Sequence, residues 1–438
     1  MGDAAVEPRR VPRHAGRQLP HVRRSEGCEL RERARRFRRA CPQRLPRPHL
    51  LTPHPPSFTN CDFAHDALEA DCAPCVAPQE PLYSFRSNAR APRPAVLHFQ
   101  LRHLVHATTR HDVYFAAEGG VSHYSSVTRT QRKALDSERA LAHGLGRVQI
   151  ATAAASEALG LVAAGGFGGE LLVQRIRAPP NAPLLHAARL SGEENAITNF
   201  LSFQPHGLGG RGGPPVLVAC NNDGVLRVLD VAPGSFVPVS SCRLPWAPNA
   251  AEVAPGGSAC AVVGDAPAAA LVDPRAGGSA SGATLSNATP GATPPRTGGV
   301  VAWLRGHNDF CFAASWHPGG TLLATGSQDG TARIWDVRCL HASLRCVKGR
   351  IGAIRSLSFS PDGSHLAMAE PCDFVHVFDV ASGFSVVQEI DLFGEIAGVS
   401  FSPDSAGEAL YIGVSDQTYG SVLEYARAAP RRARHLLF

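Results

Sequence analysis

The sequence predicts an all-β fold, a seven-bladed β-propeller that follows a disordered N-terminal tail. From about residue 95 to residue 428, short segments of strand composition alternate with turns rich in Gly, Pro and Asp. The pattern is periodic, because Asp230 and Asp273 lie 43 residues apart and the same interval separates Asp336 from Asp379. One four-stranded unit cannot bury both of its faces, so units of about 40 to 45 residues are expected to pack radially around a common axis.

Seven such units fit between residues 95 and 428. In the first unit, strands are predicted at 97–105, 112–116 and 121–124. In the fifth unit, they are predicted at 311–316, 322–327 and 331–335. The other units cover the segments 147–176, 197–230, 252–273, 358–379 and 400–425. Two low-complexity inserts, 207–215 and 276–299, are expected within the third unit and between the fourth and fifth units.

Residues 1–94 have the Arg-, Pro- and Ala-rich composition of a disordered tail. Two alternatives stay open: a nuclear-targeting or RNA-binding arm around Arg31–Arg39, and a mispredicted translation start. Residues 1–50 hold 14 arginines against five acidic residues, whereas residues 51–438 hold 29 basic and 32 acidic residues. Nucleic acid is therefore expected as a partner only through the basic tail. Residues 429–438 are expected to form a short basic C-terminal tail.

No segment has the composition of a membrane span, since the longest apolar run, 158–173, is broken by five glycines and Glu170. The N-terminus has no apolar leader core, and the twelve cysteines are irregularly spaced. We therefore expect reduced thiols, no membrane partner, and a location in the cytoplasm, the nucleus or both.

One group of residues has a spacing that resembles a metal site. Cys61, His65, Cys72 and Cys75 form a Cys-x3-His-x6-Cys-x2-Cys pattern, in which only the Cys72–Cys75 half has a spacing usual for zinc. Unpaired cysteines are the better interpretation. We expect neither a metal nor a cofactor.

The fifth unit, Leu304 to Arg338, carries the most complete set of polar positions. An indole, an imidazole, a carboxylate and a strand hydroxyl can form a buried chain of hydrogen bonds. We assign these roles to His307, Ser327, Asp329 and Trp335, with Thr325 as the alternative hydroxyl. A His–Asp–Ser set also suggests a catalytic triad, but no oxyanion-hole motif accompanies it. The set is therefore predicted to be structural and the protein is not expected to be an enzyme.

The sixth unit has lost these groups together. Arg350, Cys372 and Phe378 stand at the positions of the histidine, the aspartate and the tryptophan. We expect this unit to rely on apolar packing.

The Gly-His pair and the terminal Trp-Asp of the fifth unit are the features of a WD repeat. The segments 367–379 and 388–404 resemble an uncharacterised WD-repeat, transducin-like family of plants and fungi, with shorter matches at 98–102, 195–198 and 417–420. The resemblance extends from about residue 95 to residue 427. It implies a propeller, and the family itself has no established activity. We expect the protein to be a non-enzymatic protein–protein interaction scaffold that uses the loops at one end of the propeller as a docking surface.

The segment Leu323 to Arg338 also resembles the sixteen-residue box of substrate receptors of cullin-4 ubiquitin ligases. This resemblance implies that Arg338 contacts the ligase adaptor and that Asp336 positions it. Trp-Asp-x-Arg also recurs in propellers by chance. The scaffold is therefore the first hypothesis, the ligase receptor is the alternative, and an RNA-associated protein that uses the basic tail is the second alternative.

Overall fold

The computed structural model describes residues 72, 74–179, 182–209, 212–232, 235–279 and 296–428, all within a unit that spans Phe58–Phe438. The expected C-terminal tail, most of the expected N-terminal tail, and Cys61 and His65 lie outside the described residues. In the part that is described, the chain forms strands and one short 3-10 helix, Ser137–His143. The all-β propeller predicted from the periodicity is confirmed.

The described strands form five sheets, which divide into seven four-stranded antiparallel meanders, here called blades 1 to 7, because the outer strands of blades 3 and 4 pair in parallel and blades 6 and 7 share one long strand. Blade 1 contains β2 (Val105–Ala107), β3 (Asp112–Ala117), β4 (Gly120–Ser125) and β5 (Thr130–Asp136). Blade 2 contains β6 (Ile150–Ser156), β7 (Leu161–Gly166), β8 (Glu170–Arg175) and β9 (His186–Arg189). Blade 3 contains β10 (Thr198–Gln204), β11 (Val216–Asn221), β12 (Val225–Ala232) and β13 (Ser235–Arg243). Blade 4 contains β14 (Pro248–Val253), β15 (Cys260–Gly264), β16 (Ala269–Ser279) and β17 (Arg296–Leu304).

Blades 5 to 7 complete the set. Blade 5 contains β18 (Cys311–Trp316), β19 (Leu322–Ser327), β20 (Thr331–Asp336) and β21 (Arg345–Lys348). Blade 6 contains β22 (Ser356–Phe359), β23 (His365–Ala369), β24 (Cys372–Asp379) and the first half of β25 (Val386–Phe401). Blade 7 contains the second half of β25, β26 (Ala409–Ser415), β27 (Ser421–Arg427) and β1 (Tyr83–Ala89).

The first strands of the blades form a closed inner ring. Each contacts the first strand of the next blade, in the order β2, β6, β10, β14, β18, β22 and β25, and β25 contacts β2 again. Apolar faces of neighbouring blades pack against each other, as where Leu271 of blade 4 joins Trp335 of blade 5 in one buried cluster. Closure removes open sheet faces and gives a rigid frame for the connecting loops.

The expected boundary of the tail at residue 94 is wrong, because Tyr83–Ala89 is a strand of the propeller. It pairs antiparallel with β27 and supplies the outer strand of blade 7, so the chain closes its own ring. Tyr83 is fully buried and its hydroxyl donates a hydrogen bond to the Gly407 carbonyl at 2.7 Å. Further upstream, Val76 pairs with Val386 of blade 6. Part of the expected tail is therefore a strap along the outer edges of the blades.

Two other sequence expectations need correction. The strand predicted at 97–105 is mostly irregular, because only Val105–Ala107 enters the ladder of blade 1. The insert expected at 276–299 is partly strand, because Gly278 pairs with Thr297 and extends the hairpin of β16 and β17.

The antiparallel order places the loops at two ends of the propeller. The turns after the second and fourth strands of a blade lie at one end, which we call the His307 end. The turns after the first and third strands lie at the other, which we call the Arg338 end, since Arg338 follows β20. The two features that the sequence singled out in blade 5 therefore lie at opposite ends of that blade.

Candidate interaction surfaces at the two ends of the propeller

The polar network of blade 5 is centred on Thr325. The Trp335 indole N–H donates to Thr325 Oγ1 at 2.8 Å, and His307 Nε2 lies 2.8 Å from the same oxygen. His307 Nδ1 lies 3.2 Å from Asp329 Oδ2. The side chains of Thr325, Trp335 and His307 are buried. The hydrogen bonds among them therefore replace the hydrogen bonds to water that each polar group loses on folding.

The expectation that Ser327 provides the bridging hydroxyl is wrong, because the alternative residue, Thr325, provides it. Thr325 and Ser327 point to the same face of β19, but Thr325 lies two residues deeper, level with the indole. The Ser327 hydroxyl instead donates to the carbonyl oxygens of Asp309 and Phe310, at 3.0 and 2.9 Å. It anchors the loop that enters blade 5, and the imidazole that a catalytic triad would need pairs with Thr325 instead.

Asp329 is held as a carboxylate by several donors. Burial raises its pKa, but hydrogen bonds from His307, from Thr331 and from the Asn308 backbone N–H outweigh burial and hold the pKa well below its usual range. Thr331, which sequence reasoning missed, donates from Oγ1 at 2.6 Å. The carboxylate thereby joins the two loops of blade 5 at the His307 end.

Gly306 precedes the histidine for a steric reason. A Cβ atom on this residue would lie 3.2 Å from Cη2 of Trp335 and 3.3 Å from Nη1 of Arg333. The absence of a side chain lets the loop lie flat against the indole. The Gly-His pair is therefore part of the same structural unit as the tryptophan.

Blade 6 has a different polar network, so the expectation of apolar packing alone is wrong. Glu370 is fully buried and accepts a hydrogen bond from His376 Nε2 at 2.8 Å. It also accepts the backbone N–H groups of Arg350, Ile351 and Gly352 at 2.6 to 2.7 Å. Burial raises the pKa of Glu370, but these hydrogen bonds outweigh it and lower the pKa. A glutamate at the position of Ser327 thus ties together the same two loops.

Arg338 forms a side-on fork with Asp336 at the other end of blade 5. Its Nε donates to Oδ1 at 2.9 Å and its Nη2 donates to Oδ2 at 2.7 Å. The Arg338 side chain is 72% exposed, whereas that of Asp336 is 19% exposed. Hydrogen bonds from Arg338 lower the pKa of Asp336. The carboxylate therefore fixes the direction of a guanidinium whose Nη1 edge remains turned to solvent.

The irregular segment 90–104 crosses the His307 end and reaches the central channel. The Arg93 guanidinium donates to the Gln417 carbonyl of blade 7, and His103 Nε2 lies 2.9 Å from the Phe312 carbonyl of blade 5. The rings of His103 and Phe200 of blade 3 are 5.3 Å apart. The segment thus contacts blades 3, 5 and 7, which explains why it does not pair as a strand.

Large apolar side chains are exposed on neighbouring loops at this end. They come from the channel segment and from the loops of blades 5 to 7: Phe99, Phe310, Ile351, Phe393 and Tyr419. Phe393 and Tyr419 are in edge-to-face contact at 5.7 Å, and Arg90 stacks on Tyr419. A groove of about 570 Å³ lies beside this pair. Exposed aromatic and Arg side chains are the types that anchor protein interfaces.

The cysteines of the suggested metal half-site contact different elements. Cys72 Sγ lies 3.3 Å from Cys346 Sγ of β21, whereas the Cys75 thiol donates to the Phe384 carbonyl at 3.6 Å. No group of three or more His, Cys, Asp or Glu side chains is placed to hold a metal ion within the described ranges. No helix in the same ranges has the length and apolarity that a membrane crossing needs.

Comparison with known proteins agrees with the geometry of blade 5. Residues 298–336 match the family model described as WD domain, G-beta repeat. The fold is similar to the crystal structure of the WD40 beta propeller domain of Doa1, with a TM-score of 0.57 and 15% identity over 79% of this chain and 97% of that chain. The chain is a β-propeller that carries a WD repeat.

Two curated WD-repeat relatives match parts of the chain. THO complex subunit 3 of Arabidopsis thaliana is 32% identical over 111 residues, which is 24% of this chain and 35% of the relative. Pre-mRNA-processing factor 19 of Oryza sativa subsp. japonica is 32% identical over 106 residues, 24% of this chain and 19% of the relative. The matched part of the chain therefore spans about a third or less of the length of either relative.

Proposed function

We propose that the protein is a non-enzymatic protein–protein interaction scaffold that works in the cytoplasm, the nucleus or both. The observation that carries the proposal is the arc of exposed Phe99, Phe310, Ile351, Phe393 and Tyr419 on loops of a closed ring. The polar sets of blades 5 and 6, in contrast, are paired internally and hold loops together. Rigid loops with aromatic anchors favour partner binding over chemistry.

The scaffold proposal is tested by mutating this arc. We expect the double variant Phe393→Ser, Tyr419→Ser to lose specific partners in affinity purification with quantitative mass spectrometry. The matched control is Val127→Ser, Leu141→Ser, which removes two exposed apolar side chains of blade 1. Equal partner sets for both double variants and the wild type would contradict the proposal, provided that thermal unfolding shows all three folded.

The alternative function is that of a substrate receptor for a cullin-4 ubiquitin ligase, which uses the box 323–338. The fork between Asp336 and Arg338 supports it, because a guanidinium held in one direction can donate to adaptor carbonyls or carboxylates. We expect Arg338→Ala to abolish pull-down of the cullin-4 adaptor.

The control for that experiment is Arg177→Ala. Arg177 follows the third strand of blade 2, is 85% exposed and is paired with Glu157 at 3.0 Å, so it lies at the same end in a similar setting. A wild-type chain that captures no adaptor, or an Arg338→Ala chain that captures as much as the wild type, would eliminate the receptor function.

The second alternative, an RNA-associated protein, is supported by the 14 arginines of residues 1–50 and by the name of one relative, a pre-mRNA-processing factor. We expect the full chain to bind RNA with an affinity that falls steeply as salt rises. Deletion of residues 1–71, which keeps β1 and the strap, should remove this binding. Salt-independent binding by the deleted chain would contradict a role of the tail.

A further inference from the structure

Arg355 is buried at the channel mouth of the His307 end with neutral partners only. It is 8% exposed, and its guanidinium lies 3.9 Å from the centre of the Phe312 ring. Its Nη1 donates to the Gln100 carbonyl at 3.2 Å, and its Nη2 donates to Gln328 Oε1 at 2.8 Å. Its Nε is buried without a hydrogen-bond partner in the part of the chain that the structure describes.

The charge of Arg355 is left without a counter-charge among the described residues. No carboxylate of the described chain forms an ion pair with it, and the charge that shifts its pKa is that of Arg102, which itself lies 3.9 Å from Glu395. Burial and this like charge lower the pKa of Arg355 to about 10, so it still carries its charge at neutral pH. A buried cation without an anion destabilises a fold, and the stacking on Phe312 offsets only part of that cost.

The free edge of Arg355 has a defined shape. Nε and Nη2 form the side-on edge of a guanidinium, the same edge with which Arg338 binds both oxygens of Asp336. At Arg355, Nη2 donates to the neutral amide oxygen of Gln328, and Nε has no hydrogen-bond partner among the described residues. Gln328 is an exposed residue at the loop tip of blade 5, so its side chain can turn away and leave both donors to a carboxylate.

Exposed apolar residues neighbour the groups that bind Arg355. Phe99 precedes Gln100, whose carbonyl binds Arg355, and is 73% exposed. The backbone N–H of Gln328 donates to the Phe310 carbonyl, which places the partly exposed Phe310 beside it. Ile351, 59% exposed, lies in the loop that leads to Arg355.

We propose that the channel mouth binds an acidic peptide segment of a partner protein, with one Asp or Glu carboxylate seated on the Nε and Nη2 edge of Arg355 and apolar neighbours against Phe99, Phe310 and Ile351. The like charge of Arg102 favours an anion here. The inference rests on the scaffold function and names the chemistry of its partner.

The first test needs no partner, because Gln328→Glu would supply the carboxylate from within the chain. We expect Gln328→Glu to raise the midpoint of thermal unfolding by a few degrees, and Gln328→Ala to lack this gain. The gain should disappear in the double variant with Arg355→Met. A Gln328→Glu chain no more stable than the wild type, or a gain that persists without Arg355, overturns the proposal.

The second test measures the ligand class directly. The probes are two fluorescein-labelled heptapeptide pools of Phe, Leu, Ser and Gly with a central Glu or a central Gln, and the readout is fluorescence anisotropy with the full chain. We expect the Glu pool to bind about tenfold more tightly than the Gln pool. Arg355→Gln and Gln328→Glu should both remove that preference, and Arg338→Gln at the other end should keep it.

The outcomes separate this inference from the scaffold function. Equal binding of both pools to the wild type, or an undiminished preference in Arg355→Gln, overturns the acidic-peptide inference. The scaffold proposal is not affected by that result, because it depends on the partners lost in the Phe393, Tyr419 experiment. Equal partner sets in the Phe393, Tyr419 experiment together with a retained Glu preference would overturn the scaffold proposal and leave the site as a binder of short acidic peptides.

Discussion

At the scale of single residues, one hydroxyl holds the polar network of blade 5 together. Thr325 Oγ1 accepts from the Trp335 indole and lies next to His307 Nε2, so two buried groups depend on it. The sequence predicted the residue types of this network, because donors and acceptors must match. It did not distinguish Thr325 from Ser327, because both lie on the same face of one strand. Which hydroxyl binds the indole depends on how deep the indole lies in the blade.

We expect Thr325→Val to destabilise the protein by about 2–3 kcal/mol, because it keeps the shape and leaves an indole N–H and an imidazole nitrogen buried without a partner. Thr325→Ser, the control, should cost less than about 1 kcal/mol. Urea unfolding measures both. A Thr325→Val chain as stable as the wild type would show that the network contributes nothing.

Glu252 makes stability depend on pH. Burial raises its pKa from 4.5 to about 8, against hydrogen bonds from the Trp316 backbone N–H and the Ser315 hydroxyl. Between those values the folded chain holds a proton that the unfolded chain releases. The stabilisation that the bound proton gives to the folded chain is therefore complete below pH 4.5 and is lost as the pH rises towards 8.

We expect the free energy of unfolding of the wild type to contain a component that falls between pH 5 and pH 8, by at most about 1.4 kcal/mol per pH unit. Glu252→Gln should remove this component, and Glu194→Gln, at an exposed position, should retain it. Urea titrations at a series of pH values provide the measurement. An identical slope in Glu252→Gln would disprove the assignment.

At the scale of elements, the closing strand β1 completes blade 7. The sequence signal for it was weak, because Tyr83–Ala89 follows a tail-like composition and its partner β27 lies at the far end of the chain. The periodicity reports repeats that are local in sequence, so it missed both this pairing and the irregular path of 97–104. It also missed the pair formed by Glu370 and His376, because a glutamate stands at the position of Ser327 and a histidine at that of Arg333, so neither matches its counterpart in blade 5.

Tyr83→Ala should destabilise the protein by about 3–5 kcal/mol, because it leaves a cavity between β1 and blade 6. The Tyr83 backbone N–H also donates to Gln388 Oε1 at 2.8 Å, and the Tyr83 carbonyl accepts from Gln388 Nε2 at 2.7 Å, which fixes the strand to the neighbouring blade. Tyr83→Phe should cost only about 1–2 kcal/mol, for the hydrogen bond to Gly407. Equal stability of Tyr83→Ala and the wild type in chemical denaturation would mean that β1 does not close the ring.

At the scale of the whole molecule, the number of blades was predictable because a spacing near 43 residues recurs, interrupted by an insert between the fourth and fifth units. The interaction surfaces were not predictable from the sequence, because loop residues that are distant in sequence come together only when the ring closes. Phe99, Phe310 and Phe393 come from three separate loops and lie at one end. Arg338 lies at the other end, where it is exposed and is not part of the buried network. Stability and partner binding are thus assigned to different residues.

We expect Arg338→Ala to leave the free energy of unfolding within about 0.5 kcal/mol of the wild type, because an exposed ion pair contributes little. Chemical denaturation of the variant and of Arg177→Ala should give the same midpoint. A large loss of stability in Arg338→Ala alone would make this residue a structural one.

The central claim is that the protein binds partners through surfaces at the ends of a rigid ring. Affinity purification with quantitative mass spectrometry tests it most directly, with the wild type, Arg338→Ala, Arg355→Gln and the Phe393→Ser, Tyr419→Ser double variant compared at equal expression. We predict that folded variants lose distinct subsets of partners, according to the end that each one alters. Identical partner sets in all four samples, or no enriched partner in any of them, would contradict the claim.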